Sequence, residues 1–526
     1  MKARLLARSA SVALALAAFA PLASAQASVP AAPPALPPPA PAAPPPAPPS
    51  APPAPPAAAF ALPALPPGPA AAAVPAAPPP SPDVLTLAEV LRSAEAAYPP
   101  LRAAELERDI ARADLLSAEG GFDLSWRTRA STTPLGYYQY HRLDTVVEVP
   151  TQLWGSTFFA GYRIGRGNIP SYYGELATLS QGEVRGGVNV PLWRNGPVDR
   201  RRANVWRAEA GRRVADLGVA QQRLEIARAA AVRYWDWVVA GRRLQIARDL
   251  LSLAVARDAG VGTRVARGDL PAFEHADNAR AILQRRAQVV AAERGLEGAA
   301  LELSLFLRGP DGAPRLPDPG RLPTSLPEPD PAAGPPTQEA VAAATRRRPE
   351  LGRLEALRRQ SEVELRWAKN QLMPGLDAQV VASRDFGDGP ASLRPTVLEA
   401  AVLLDVPLQT RVARGRVDAA EAQIARVDAQ SAFARDRISV EVRDALVAMR
   451  AARQRVEAAR GEVELARQLE QSERARFDLG EGTLLVVNLR EQATADAAQR
   501  EAEALADYHR AVATYRAAAG DGAARP

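Results

Sequence analysis

VDAAEAQIARVDAQSAFARDRISVEVRDALVAMRAARQRVEAARGEVELA, residues 417 to 466, places a small or apolar side chain at every seventh position: Val417, Ile424, Ser431, Ile438, Ala445, Ala452, Ala459 and Ala466. Arg, Glu, Gln, Asp and Ala fill most of the intervals, and no proline interrupts them. This pattern predicts one unbroken helix with a narrow seam of period seven, the signature of left-handed supercoiling against neighbours. Extended to Asp478, such a helix is about 90 Å long. Arg476-Phe477-Asp478-Leu479-Gly480-Glu481-Gly482-Thr483 then breaks it with a pair of glycines, and a second helix is expected to run to Ala519. The C-terminal part thus reads as a long helical hairpin with its tip near Gly480.

A matching hairpin is predicted earlier. A helix from Asp199 to Asp258 carries Leu217, Leu224, Ala231 and Val238 on its seam. It is expected to break around Gly260, Gly262 and Gly268, and a return helix to extend from Pro271 to Leu307. Each hairpin has the same preamble. Thr86-Leu-Ala-Glu89 forms a capping box, with Thr accepting from a free backbone N–H and Glu returning the bond. Pro99-Pro100-Leu101 interrupts the helix that follows, as Pro349-Glu350-Leu351 does in the second half. Val190-Pro191-Leu192 and Val406-Pro407-Leu408 then lead into the long helices. The chain is therefore an internal duplication.

Alternating patterns between these landmarks predict strands at Phe122–Ala130, Tyr138–Val149, Trp154–Ile164 and Glu183–Leu192, then at Leu376–Ser383 and Val397–Val406. The first β region exceeds the second by roughly one hairpin. Tyr137, Tyr138, Tyr140, Trp154, Phe158, Phe159, Tyr162, Tyr172 and Tyr173 crowd it. In a chain poor in aromatics this clustering fits the interfacial girdles of a membrane β-barrel, although a soluble sheet with an aromatic core shares it.

The ends and linker read by composition. Residues 1–25 form a signal peptide: Lys2, Arg4 and Arg8, an apolar run from Val12 to Phe19, then Ala23-Ser24-Ala25 before the expected cut. Residues 26–82 are a Pro/Ala-rich disordered tether. The first repeat spans 83–308, with its β region at 122–192 and its hairpin at 199–307. A Pro/Gly-rich linker at 309–336 is expected to pack on the outside. The second repeat spans 337–519, with its β region at 376–408 and its hairpin at 412–519, followed by a disordered tail at 520–526.

Chemistry-bearing residues are sparse. The 526-residue chain has no cysteine, so disulfides and thiolate catalysis are excluded, and its 3 histidines, His141, His275 and His509, are scattered. No nucleophile elbow, phosphate loop, HExxH or dinucleotide fingerprint occurs, so neither an enzyme, a metal centre nor a bound cofactor is expected. The formal charge of +6 has Arg alternating with Glu and Asp along helices, which does not predict nucleic-acid binding. Glu274 and Asp277 lie three apart and share a helix face. They read either as a solvated helix start or as a carboxylate ring at a pore mouth, repeated by each copy. His275 reads as a tip surface residue. Six or so strands are too few to close a wide pore, so several copies must join: strands into a membrane barrel, helices into a second tube.

From Asp83 to Ala519 the chain resembles the TolC family of outer-membrane efflux proteins. The resemblance rests on the duplication, the repeated Val-Pro-Leu, the Pro-x-Leu breaks, and the two tips, Ala266-Arg267-Gly268-Asp269-Leu270 and Arg476 to Leu484. It implies a mainly α fold with membrane β-strands: a trimeric α/β-barrel channel of an efflux or type I secretion system. The homotrimer is expected in the outer membrane, contacting its lipid, with a helical barrel in the periplasm. A periplasmic adaptor and an inner-membrane pump are the implied partners. Adaptor contact falls on Gly268, Leu270, Gly480 and Thr483. Where the family carries acids after the second tip glycine, this chain has Val486, Asn488 and Leu489, so Glu274, Asp277 and Asn488 are the candidate aperture. The rival readings are a periplasmic adaptor, which has one hairpin between split β modules, and a coiled-coil structural protein.

Overall fold

The computed structural model describes residues 84–169, 177–330 and 334–521. The expected signal peptide, the tether, Tyr172, Tyr173 and residues 522–526 lie outside them.

Each half opens with a short helix, a proline break and a longer helix: α1 (Leu87–Ala97) and α2 (Pro99–Glu119), then α5 (Thr337–Arg347) and α6 (Pro349–Asn370). The residues before the prolines, Tyr98 and Arg348, are extended at φ −74°, ψ 119° and φ −66°, ψ 123°. Proline disfavours helical backbone in its predecessor yet suits a helix's first turn, so one residue type ends one helix and starts the next. Thr86 caps α1 through the N–H of Glu89. The expected return bond from Glu89 is replaced: its carboxylate accepts from Arg321 at 2.7 and 3.0 Å, a charge-assisted pairing stronger than one to an exposed N–H.

The long helices are α3 (Arg200–Ala266, 67 residues) and α7 (Arg411–Asp478, 68 residues), returning through α4 (Ala272–Ser304) and α8 (Leu484–Ala518). Asp199 caps α3 by accepting from the N–H of Arg202 at 2.9 Å. Helix α3 continues through Gly260 and Gly262, where a break was expected, and both tips turn at a glycine with φ +81°, Gly268 and Gly480. Glycine inside a helix costs only about 1 kcal/mol, and the reversal needs left-handed backbone, which these two supply.

The long helices change partners midway. The first half of α3 meets α2 and α6 (Arg223–Glu105, Arg207–Glu364), and its second half meets α4 and α8 (Arg248–Glu293, Arg257–Glu491). Likewise α7 meets α6 first (Arg358–Asp428) and then α8 (Arg500–Glu462). The predicted seam of α7 follows this change. Ile438, Ala445, Ala452 and Ala459 are buried, flanked by Val442, Val456 and Val463. In the first half Val417, Ile424 and Ser431 are only partly covered, and Ala413, Ala420 and Val427 are buried instead.

At the changeover α1, α5 and the linker wrap the helices. Trp237, fully buried, packs among Leu85, Val90, Tyr234, Leu303 and Tyr508. Tyr234 donates to the carbonyl of Leu85 at 2.9 Å, and burial raises its phenol to about 12. The linker packs against the helices it wraps: Leu326 is buried in this core, and the backbone N–H of Asp330 donates to the Tyr508 hydroxyl at 3.2 Å. Asp521, placed by composition in the disordered tail, pairs with Arg347 at 2.7 Å.

The strands form one antiparallel sheet in chain order: β1 (Ser125–Thr133), β2 (Tyr140–Pro150), β3 (Thr157–Gly167), β4 (Glu183–Pro191), β5 (Gly375–Asp385) and β6 (Val397–Asp405). The first begins later than expected because Gly120–Phe122 makes a 3-10 turn. Pairing of β4 with β5 fuses the two repeats. The register gives the sheet two unlike faces. One presents Trp126, Val147, Phe158, Val188, Val380 and Val402. The other presents Arg127, Glu148, Arg163, Glu183, Gln379 and Glu399, and pairs Arg127 with Glu148 and Arg163 with Glu183. At 9 to 11 residues the strands match the length that crosses a bilayer when tilted.

Candidate functional site: the joined tips of the two hairpins

The loops 267–271 and 479–483 come together at the end of the helices away from the sheet. Val261 of α3 packs with Phe477, Leu484 and Val487 of the second hairpin, and Val265 and Leu270 flank them. The Arg264 guanidinium lies 5.1 Å from the centroid of the Phe477 ring, over its face. Leu270 thus belongs to the joint. Gly268, Gly480 and Thr483 lie at the extremity, all three exposed, with Thr483 extended just before α8. Phe273, Leu479, Leu485 and Leu489 are exposed around them.

About two turns further in, every long helix contributes to one polar network. Glu491 of α8, its side chain 1% exposed, accepts from Arg257 of α3 at 2.7 and 3.2 Å, Arg285 of α4 at 2.9 Å and Arg474 of α7 at 3.0 Å. Arg474 also meets Glu470 at 2.6 Å. Arg285 donates a second bond to the carbonyl of Leu250 at 2.9 Å, and buried Asn278 donates to Asp258 at 2.8 Å. Burial pushes the Glu491 carboxyl up, but bonds and charge from Arg257 and Arg285 outweigh it and hold it below the usual carboxylate range. One carboxylate with this many guanidiniums is stable only while all partners keep their places, because any member left alone is a buried, unpaired charge.

The candidate aperture residues divide. Asn488 sits inside the network, its carbonyl accepting from Arg257 at 2.7 Å and Arg285 at 3.3 Å. Glu274 is buried at 7% exposure, so it is not a solvated helix start. Asp277 is half-buried and accepts from Arg280 at 3.0 Å. His275 is exposed, 3.6 Å from Asp258. Sequence patterns did not single out Glu491 and its arginines. Their signal was a charge on an apolar seam: Glu491 continues the spacing of Leu484 and Leu505, and Arg285 that of Ala292 and Ala299. Among the described residues no cluster of His, Asp or Glu could hold a metal ion, and no helix is long and apolar enough to cross a membrane.

This architecture, a duplicated helical hairpin bearing a two-faced sheet, is the fold of solved outer-membrane channels. The chain is similar to the CmeC outer membrane channel of Campylobacter jejuni at TM-score 0.58 and 14% identity, covering 83% of this chain and 86% of that one. It is also similar to the open state of the MtrE outer membrane channel of Neisseria gonorrhoeae (TM-score 0.57, 15% identity, 82% and 88% covered). The outer membrane protein VceC of Vibrio cholerae gives TM-score 0.59 and 16% identity, with 82% and 96% covered. No family model and no curated protein sequence matches the chain. At such identities the likeness is one of fold, and it is the fold implied by the TolC-family resemblance.

Proposed function

We propose that the chain is one protomer of an outer-membrane export duct that conducts passively. Copies join side by side, as a homotrimer. The sheet lies in the outer membrane with its apolar face to lipid, and the helices form a periplasmic tube whose tips rest closed. A periplasmic adaptor working with an inner-membrane pump engages the tip around Gly268, Gly480 and Thr483 and opens it. Energy comes from the pump. No catalysis, nucleotide, metal or nucleic acid enters this reading.

The observation that carries it is the sheet: apolar on one face from β1 to β6, charged on the other, and continuous with helices of 67 and 68 residues. A soluble sheet on a coiled-coil structural protein has no use for an uncovered apolar face of that extent. An adaptor with a single hairpin does not account for the duplication. The Glu491 network is the closing element, and Asp277 is the acid left to line the aperture.

The test is single-channel recording of the purified protein in planar bilayers. Rare, discrete openings are expected from the wild type and frequent openings from Glu491→Ala. Cation selectivity is expected to fall in Asp277→Ala. Protein that inserts and never conducts, in the wild type and in Glu491→Ala alike, overturns the duct.

A further inference from the structure

The first repeat gives the sheet four strands and the second gives two. The surplus hairpin, β1–β2, could be a flap beside the wall or part of the wall. The geometry points to the wall: we infer that each copy supplies a six-stranded panel whose open edges, β1 and β6, pair with β6 and β1 of neighbouring copies. The inference rests on the duct reading above and fixes which strands form its subunit seam.

The hairpin is fastened as firmly as the rest of the sheet. Strand β1 pairs with β2 along nine positions, Ser125 to Thr133, and β2 pairs with β3 along eleven, Tyr140 to Pro150. Both faces run through it unchanged. On the apolar side Trp126 stands opposite Val147 and Ala130 opposite Leu143. On the polar side Asp144 of β2 accepts from Arg185 of β4 at 2.9 Å, reaching across β3. Peeling the hairpin away would separate that ion pair and expose backbone groups to lipid, where each unsatisfied group costs several kcal/mol.

The two edges suit each other. Among the described residues β1 and β6 each have one strand neighbour, both are 9 residues long, and they run in opposite directions. Copies placed side by side therefore continue the antiparallel alternation, apolar face beside apolar face. Because each copy joins β1 of one molecule to β6 of the next, the contact is head-to-tail and closes as a ring. Three such panels make a barrel of about eighteen strands. Barrel diameter grows roughly linearly with strand number, so its bore is about one and a half times that of a wall with four strands per copy. A wall of this width suits a bulkier cargo than the narrower one.

The chain has 0 cysteines, so a disulfide scan reads the seam directly. Thr128→Cys or Ala130→Cys in β1 is combined with Ala400→Cys or Val402→Cys in β6, all on the apolar face. The control combines Ala160→Cys in β3 with the same β6 positions. The protein is oxidised in detergent, its fold is checked by heat-modifiable gel mobility, and its mass is measured by light scattering. A ladder of linked chains from a β1–β6 combination and none from β3–β6 is expected. A ladder from β3–β6 alone places the hairpin outside the wall and overturns the inference while leaving the duct intact. No ladder from a folded oligomer also overturns it. A folded monomer by mass, with no ladder, overturns the duct reading itself.

Discussion

Arg285 and Glu491, 206 positions apart in the chain, meet at 2.9 Å with side chains 4% and 1% exposed, and so tie the return helix of the first hairpin to that of the second. Glu491→Ala removes the shared acceptor and strands Arg257 and Arg285. It is expected to cost about 3–5 kcal/mol, the range for breaking a buried pair. Hydrogen exchange should rise first in the tip segments. Glu491→Gln keeps an acceptor but not the charge, and should lose less.

The same network predicts an acid limit. The folded-state pKa of Glu491 is lowered, so its contribution is full above the unfolded carboxylate value of about 4.3 and is lost as pH falls through the folded value. Tip protection measured by hydrogen exchange should therefore be flat from neutrality to about pH 5 and fall below about 4. In Glu491→Gln that added fall should be absent.

His509 predicts a separate, milder window. Its ring stacks on Trp235 at 4.2 Å and bonds the carbonyl of Pro327 at 2.9 Å. Burial lowers its pKa against the effect of that bond, and the charge of Arg516 lowers it further. For a base with a lowered folded pKa, the stabilisation is full above the unfolded value of about 6.5 and declines as pH falls through the folded one. Thermal stability is expected to drop as pH falls below about 6.5, and to lose that component in His509→Phe.

Glycines at and near the tips should respond with opposite signs. Gly268 and Gly480 have φ +81° and open space where a Cβ would project, so alanine there costs about 1–2 kcal/mol from backbone strain alone. Gly260 is helical with equally open space, so Gly260→Ala should stabilise by about 0.5–1 kcal/mol. Denaturant melts of the three variants check both signs.

Neighbouring positions of β6 should differ in tolerance to charge. Val402 lies on the apolar face and Ala401 on the polar one. Val402→Arg is expected to cost about 2–4 kcal/mol in vesicles, as for a lipid-facing midplane position, and Ala401→Arg little. Equal costs would mean that neither face meets lipid.

Local rules made most of the fold legible. The proline breaks, the cap at Thr86, the start of α3 at Asp199, the seam from Ile438 to Ala459 and all six strands follow from spacing and turn chemistry, which act within a few residues. What was misread depended on distant partners. Glu89 turned from its own backbone to Arg321, 232 positions away. The seam of α7 shifted in its first half because α6, not α8, packs there. Gly260 and Gly262 remained helical because glycine permits a break without requiring one.

The sequence by itself determined that the chain is a duplication of long hairpins and alternating strands, because periods of seven and two are properties of the helix and the strand. Tertiary structure decided where charge is buried and which strands are neighbours. Glu491 acquired its arginines only when four helices met around it, and β4 found β5 only when the repeats folded together. Those contacts are set by packing between segments some 200 residues apart, and no local pattern encodes them.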